Sequence, residues 1–542
     1  MTDAMCSPQC ALRQPSEVMR LARMGQAFPT RLSFLRVLLR RLKAEKAEVK
    51  CPVWRMDGDG FGEAVYTVVL DGKPISLVAI SRALADADRS DRVIANAWDA
   101  AFVLYDGVPD DAEIARLGRE TPLQEAGRFC ERDLVLSRAN KSVRVWRHVV
   151  EALKAGRAPD PAVLGDVGYL MRTTAVYGNG KFGIADRFLY AGRPALSGPF
   201  AAEMLAVWLI RQFTFDLVEH VGGAQLPPDL KRGLGVGNAT GLGMAPFLVS
   251  HPVLLHNWMA ARETALARVR AAGRFSPDQK QQMLALHARA AAHLQHWQVP
   301  DKQAASELKD LIQDWQALAV PVHDADMAED IFDAAQTLGL AAQELTVSFL
   351  IEIFPDLVDD LTDQMADPGG KALVLLQDTK ALSEAIARDW EWAQGEYAQS
   401  AAQRFWYISA NKLEPRIGDR WNEPGAECER PLDVARSVAL MQRDLPGEPE
   451  STCDFLQRHP EHAFAAERVS TLAQHPYAEI RDNLIDAACR PIDMLRCKLA
   501  FFGATRFDPK SDLWTRITLA QGAPLAGEIA THDEVWLSEG LA

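Results

Sequence analysis

The sequence has no run approaching the roughly 20 consecutive apolar residues that a membrane span requires, and its N-terminus has neither the apolar stretch nor the small-residue cleavage site of a secretory signal. The expectation is therefore a cytoplasmic protein with no membrane span. Its eight cysteines form no Cys-x-x-Cys pair, which excludes a zinc ribbon, a thioredoxin-type redox motif and c-type haem attachment. Positive charge is in deficit, with 59 Lys and Arg against 73 Asp and Glu and a net charge of −14. A chain that coats nucleic acid needs a basic face to neutralise phosphates, so no nucleic-acid partner is expected. Also absent are a Gly-Lys-Ser/Thr phosphate loop, a Gly-x-Ser-x-Gly nucleophile elbow, and any His-Glu-x-x-His or Glu-x-x-His metal motif. No cofactor is identified by these patterns, and no metal is expected.

What is present is ordinary globular material, 48% hydrophobic and 24% charged over 542 residues, enough for two to four domains. Residues 1–50 read as a basic amphipathic helical arm. Val18 to Ala44 hold seven Lys or Arg and no acid, and Thr30 stands as an N-cap before Leu32, Leu35, Leu38, Leu39 and Leu42. Such a helix suits an anionic surface, and docking on the acidic body of the same chain is the preferred reading. Residues 51–120 read as a small α+β region, in which Ala64–Leu70 and Ile75–Ile80 are β-branched runs joined by an Asp71-Gly72 hairpin signal, with a third run at Ala101–Tyr105. Residues 121–260 read as helical with Gly- and Asn-rich site segments, 261–403 as a long-helix bundle broken at prolines, and 404–542 as an Arg-rich C-terminal region. The fold class expected is mainly α, a multi-helix bundle with a small N-terminal antiparallel β-sheet.

Four segments mix Gly, Asn, Thr, Tyr and Arg into apolar runs, which is costly unless the polar groups find partners or a ligand. In Gly168–Arg187, Tyr177 and Lys181 have the Tyr-x-x-x-Lys spacing of an acid and base pair, although glycines interrupt the helix on which short-chain dehydrogenases carry that motif. Gly233–Trp258 has five glycines in eleven residues, with Asn238 and Thr240 as candidate anion ligands, but is a poor dinucleotide fingerprint. Arg404–Arg420 offers Lys412 and Glu414 for proton transfer and Arg416 as a bidentate carboxylate clamp. His475–Arg516 interleaves Arg481, Asn483 and further bases with aromatics, most of them expected to pair with nearby acids. Excluding the Gly233–Trp258 stretch, these segments together carry 14 bases and 9 acids, so their convergence would make a positive pocket in a negative protein. Among histidines, His287, His293 and His296 share a helical stretch, and Asp216 and His220 are four apart and able to pair.

The function expected is an enzyme acting on a small carboxylate- or phosphate-bearing metabolite by acid and base chemistry, as a cofactor-independent lyase or isomerase. Tyr177, Lys181, Lys412 and Glu414 are its catalytic candidates. Arg172, Asn238, Thr240, Arg416, Arg481 and Asn483 are its binding candidates, and a homo-oligomer is compatible with the reading. One alternative is a flavin- or nicotinamide-dependent oxidoreductase with cofactor phosphates at the 233–243 Gly-rich loop. The other is a non-catalytic helical scaffold that docks through the basic N-terminal helix.

Overall fold

The structure, a computed structural model, describes residues 12–18, 23, 30–85, 98–121, 132–165, 167–177, 193–196, 198, 200–239, 252–296, 302–365, 378–391, 433–462, 465–466, 469–470, 500, 504–507 and 516–531. Helix dominates them, at 58% against 17% strand, but the expected small N-terminal sheet is wrong. The sheet is large and draws strands from most of the chain. Its strands are β1 (Val49–Met56), β2 (Gly62–Leu70), β3 (Lys73–Ser81), β4 (Ala100–Asp106), β5 (Asp133–Lys141), β6 (Tyr169–Tyr177), β7 (Gly235–Ala239), β8 (Ala504–Phe507) and β9 (Arg516–Leu519). They form a single sheet in the order β1-β2-β3-β4-β5-β6-β7-β9-β8. Strands β1 to β6 make an antiparallel meander; β7 then joins β6 in parallel, and β9 and β8 return antiparallel from the C-terminal region.

The hairpin expected at Asp71-Gly72 is there. Both residues have positive φ, 50° and 70°, which matches the twist of a two-residue turn and is strain-free only for residues such as Gly and Asp. The alternation of side chains then sorts the meander into two faces. Val65, Val78, Val103 and Leu136 lie opposite one another across four strands and pack under Ile114 and Leu117 of α2 (Asp111–Glu120), the helix that follows α1 (Phe34–Ala44). Tyr66, Leu77 and Leu104 form the adjacent register row and belong to the main core on the other face.

That second face is covered by α4 (Ala201–Gly222), against which α3 (Val143–Lys154) packs. Helix α4 is buried along most of its length, as expected of a helix with little solvent face. Its Gly222 leaves room for Leu153 of α3, whose side chain would stand 2.7 Å from any Cβ there. The short α5 (Pro228–Arg232) then delivers the chain to β7.

The helical mass beyond β7 is α6 (Pro252–Arg270), α7 (Pro277–His296), α8 (Lys302–Ala317), α9 (Ala328–Ala335), α10 (Leu340–Glu352) and α11 (Thr379–Asp389). The break before Pro277 agrees with the sequence reading, Pro300 lies outside the described residues, and Pro321 follows a break at Leu318. It lies in the first turn of the short Ala319–Asp324 helix, where its missing N–H costs nothing.

The N-terminal arm is fastened to this bundle by arginines. Helix α1 starts at Phe34 behind Ser33, three residues later than the Thr30 cap expected, and Thr30 instead donates to the Ala500 carbonyl. Arg36 of α1 pairs with Glu352, and Arg31 with Asp359 at 2.7 Å. Deeper in, Arg13 spans Glu263 and Glu344, each at 2.8 Å, while Arg262 meets Glu344 at 2.7 Å. Burial alone pushes the Glu344 carboxyl up, but the guanidiniums of Arg262 and Arg13 outweigh it and hold its pKa at about 2.

Candidate functional site

The only parallel strand pair among the described residues is β6 and β7, and it is where the sequence-flagged segments meet. Tyr169 faces Gly235 across this ladder, Arg172 faces Gly237 and Thr173 faces Asn238. Both strands therefore end at the same end of the sheet, β6 at Tyr177 and β7 at Ala239. Strand β9 runs antiparallel with Arg516 opposite Ala239, and β8 ends beside it with Phe507 opposite Ile517. Three of the four flagged segments, those after Tyr177, after Ala239 and before Arg516, thus leave or enter the sheet at one end. In sheets containing parallel strands, the carboxyl ends are where backbone N–H groups and connecting loops are free to meet a ligand.

Within the junction one polar chain is ordered by its own hydrogen bonds. Thr173 Oγ1 donates to the Gly237 carbonyl at 3.2 Å, so its oxygen is left to accept from Asn238 Nδ2 at 3.1 Å. This relay fixes which way round the amide stands. Among the described residues, Asn238 Oδ1 is then left buried without a donor, and Thr518 Oγ1, on the opposite face of the neighbouring strand, is left buried without a partner. Both residues are at most 1% exposed. An unmet polar atom at such a position costs about 1–3 kcal/mol, and a ligand group that completes it recovers that energy.

The glycines of β7 have a different use from the one expected. A side chain on Gly235 would meet the Leu519 carbonyl at 2.3 Å and Thr518 at 2.6 Å, and one on Gly237 would meet the Tyr169 ring at 2.7 Å. They let strands and an aromatic ring approach closely, and residues 235–239 are strand rather than loop. The 233–243 phosphate loop is thereby reduced to its last residues, from Thr240 on, which lie outside the described residues.

Behind the junction Arg211 of α4 acts as a clamp. It is fully buried with no carboxylate contact, and donates through Nε to the Leu234 carbonyl (2.7 Å), through Nη1 to Ala523 (2.8 Å) and through Nη2 to Lys231 (3.0 Å). Burial pulls its pKa down to about 9, which leaves it protonated at neutral pH. Trp208 Nε1 and Gln521 Nε2 add bonds to Pro524 and Gly233. These contacts tie the entry of β7 to the exit of β9, and hence set the register on which Asn238 and Thr518 depend.

Of the residues singled out from sequence, Arg172 and Asn238 stand on adjacent strands but on opposite faces of the sheet, and Tyr177 is at the end of β6. Lys181, Thr240, Lys412, Glu414, Arg416, Arg481 and Asn483 lie outside the described residues. Asp216 does not pair with His220. It accepts from Tyr66 Oη at 2.7 Å and from Gln212 at 2.9 Å, and burial raises its pKa, while His220 Nε2 meets the Asp57 carbonyl. His287 stacks on Trp315 and exchanges hydrogen bonds with its backbone and indole, and burial lowers its pKa, all of which make it a neutral packing residue. Sequence reasoning missed Arg193, which pairs with Asp106 at the same end of the sheet and, among the described residues, keeps a buried Nη1 without an acceptor. Its signal, a lone arginine beyond the Gly-rich run that follows β6 in the chain, is too weak to separate from a surface base.

No helix among the described residues is long and apolar enough to cross a membrane. No protein-family model, no curated protein and no solved structure matches the chain.

Proposed function

We propose that the protein binds a small anionic metabolite at the carboxyl ends of β6 and β7 and acts on it by acid and base chemistry, as a cofactor-independent lyase or isomerase of the cytoplasm. The observation that supports this reading is the unmet Asn238 Oδ1, an oriented acceptor buried on the β6–β7 ladder where the flagged segments leave the sheet. An acceptor calls for a donor, so the ligand carries a hydroxyl or ammonium group as well as its anionic group, as a hydroxy- or amino-carboxylate does. Arg172 and Thr518 lie in register with Gly237, on the face of the sheet opposite Asn238, so Thr240, next in the chain after β7, is the candidate for holding the anion. Tyr177, at the end of β6, is the proton-transfer candidate nearest this junction in the chain.

Two alternatives have less support. A dinucleotide has only the residues after Ala239 left for its phosphates. A scaffold docking through the basic arm would use a helix whose Arg31 and Arg36 are already engaged by Asp359 and Glu352.

The test is thermal-shift titration with a panel of hydroxy-carboxylates, amino-carboxylates and phosphate esters. A panel member should raise the melting temperature of the wild type, and Asn238→Ser should weaken its binding tenfold or more while melting normally without ligand. Equal binding by the wild type and the variant, or no response to any member, would refute the reading.

A further inference from the structure

A second cluster, unrelated to the strand junction, lies in the C-terminal helical region. Helix α12 (Asp433–Asp444) ends on Asp444, and α13 (Thr452–Arg458) is followed by His459 and a 3-10 turn, Pro460–His462. The sequence His459-Pro460-Glu461-His462 puts two imidazoles one turn apart, and the fold returns them to the end of α12. One ligand atom each from Asp444, His459 and His462 lies within 4.8 Å of the others. His462 Nε2 stands 2.9 Å from Asp444 Oδ2, and Phe455 stacks against both rings, at 5.0 Å from His459 and 5.9 Å from His462.

We propose that Asp444, His459 and His462 bind a divalent transition metal of the zinc type. Two imidazoles and one carboxylate are the donor set that zinc, cobalt or nickel prefers, whereas calcium and magnesium take oxygen ligands. Ligand atoms around a tetrahedral zinc stand about 3.4 Å apart for bonds of about 2.1 Å, so small rotations of the rings close the observed spacing. The outer contacts are also those of a metal site. His459 Nδ1 is 3.2 Å from Glu461 Oε1, and donating there leaves Nε2 with its lone pair for a metal. Arg443 contacts the other oxygen of Asp444, Oδ1, at 3.5 Å, and leaves Oδ2 to His462 and the metal. Phe455 holds the two rings from below and keeps one side of the site dry. With three protein ligands the fourth position is left to water, and the metal would staple the end of α12 to the turn after α13.

Cobalt(II) titration of the full chain, followed by visible absorption, tests this directly. One equivalent should give the intense visible bands of tetrahedral cobalt without the thiolate charge-transfer absorption that cysteine ligands add. Zinc should displace it, and His462→Ala and Asp444→Asn should abolish the bands. His459→Gln, at a half-exposed position, does the same with less risk to folding, and Glu461→Gln should weaken binding about tenfold. Absence of the bands in the wild type, a thiolate-type spectrum, or bands that persist in the folded His459→Gln variant would overturn the proposal.

Discussion

Replacing Glu344 by glutamine is expected to lower the free energy of unfolding by about 3–5 kcal/mol, the cost typical of breaking a buried ion pair from one side. Glu344 has a fully buried carboxylate that receives Arg13, Arg23 and Arg262 together, at 2.8, 2.9 and 2.7 Å. Glutamine keeps the shape and leaves buried guanidiniums short of a countercharge. The same residue makes stability depend on acid. Its pKa is about 2 in the folded protein against an ordinary 4.5, so its contribution is complete above about pH 5 and is lost as the pH falls toward 2. Urea denaturation at several pH values checks both points: the wild type should lose stability through that window, and the variant should lose less of it. Glu48→Gln, which removes an exposed contact with Lys50, is the control and should leave stability unchanged. A Glu344→Gln protein as stable as the wild type at pH 7 would show that the arm is not held by this network.

Arg211→Leu is expected to destabilise by a similar amount, about 3–5 kcal/mol, for a different reason. No countercharge is lost; the carbonyls of Leu234, Ala523 and Lys231 each lose a charged donor in a dry interior, at about 1–3 kcal/mol apiece before relaxation. Arg211→Lys should recover only part of this, because an ammonium cannot reach three carbonyls arranged around a planar fork. Hydrogen exchange adds a local readout. Amides of Val236 and Asn238 in β7 should exchange faster in either variant, while those of β2 and β3 keep their protection. A drop below about 1 kcal/mol for the leucine variant, with β7 protected as before, would mean that the strand pairing holds the junction without the clamp.

The sequence was informative wherever side-chain period and turn chemistry agree. Asp71-Gly72 and the runs around it specify β2 and β3, and the apolar spacing of Leu35, Leu38, Leu39 and Leu42 specifies α1. It misled where tertiary context overrides local preference. Strand β7 reads Gly-Val-Gly-Asn-Ala, a composition of low strand propensity that looks like loop or site, whereas β6, whose Tyr, Thr and Val favour strand, was read with its helical surroundings. Ladder bonds from strands on both sides make them sheet, and a large sheet was taken for a small one for that reason. The same override explains why Gly235 and Gly237 looked like a phosphate loop: close packing and anion binding both require an absent side chain, and only the neighbours tell them apart. Asn238 was singled out from sequence as a candidate anion ligand beside Thr240. Its orientation, the property that makes it a candidate, depends on Thr173, 65 residues away. The histidines of the proposed metal cluster, His459 and His462, were not singled out from sequence, and the third ligand lies before an intervening helix, where no spacing rule points to it.

The most direct test of the account is native mass spectrometry of the full chain after incubation with a metabolite extract, with the bound molecules identified on denaturation and Asn238→Ser run in parallel. The account predicts one small hydroxy- or amino-carboxylate retained by the wild type and depleted in the variant. A flavin or nicotinamide dinucleotide in its place, or the same occupancy in both proteins, would contradict it.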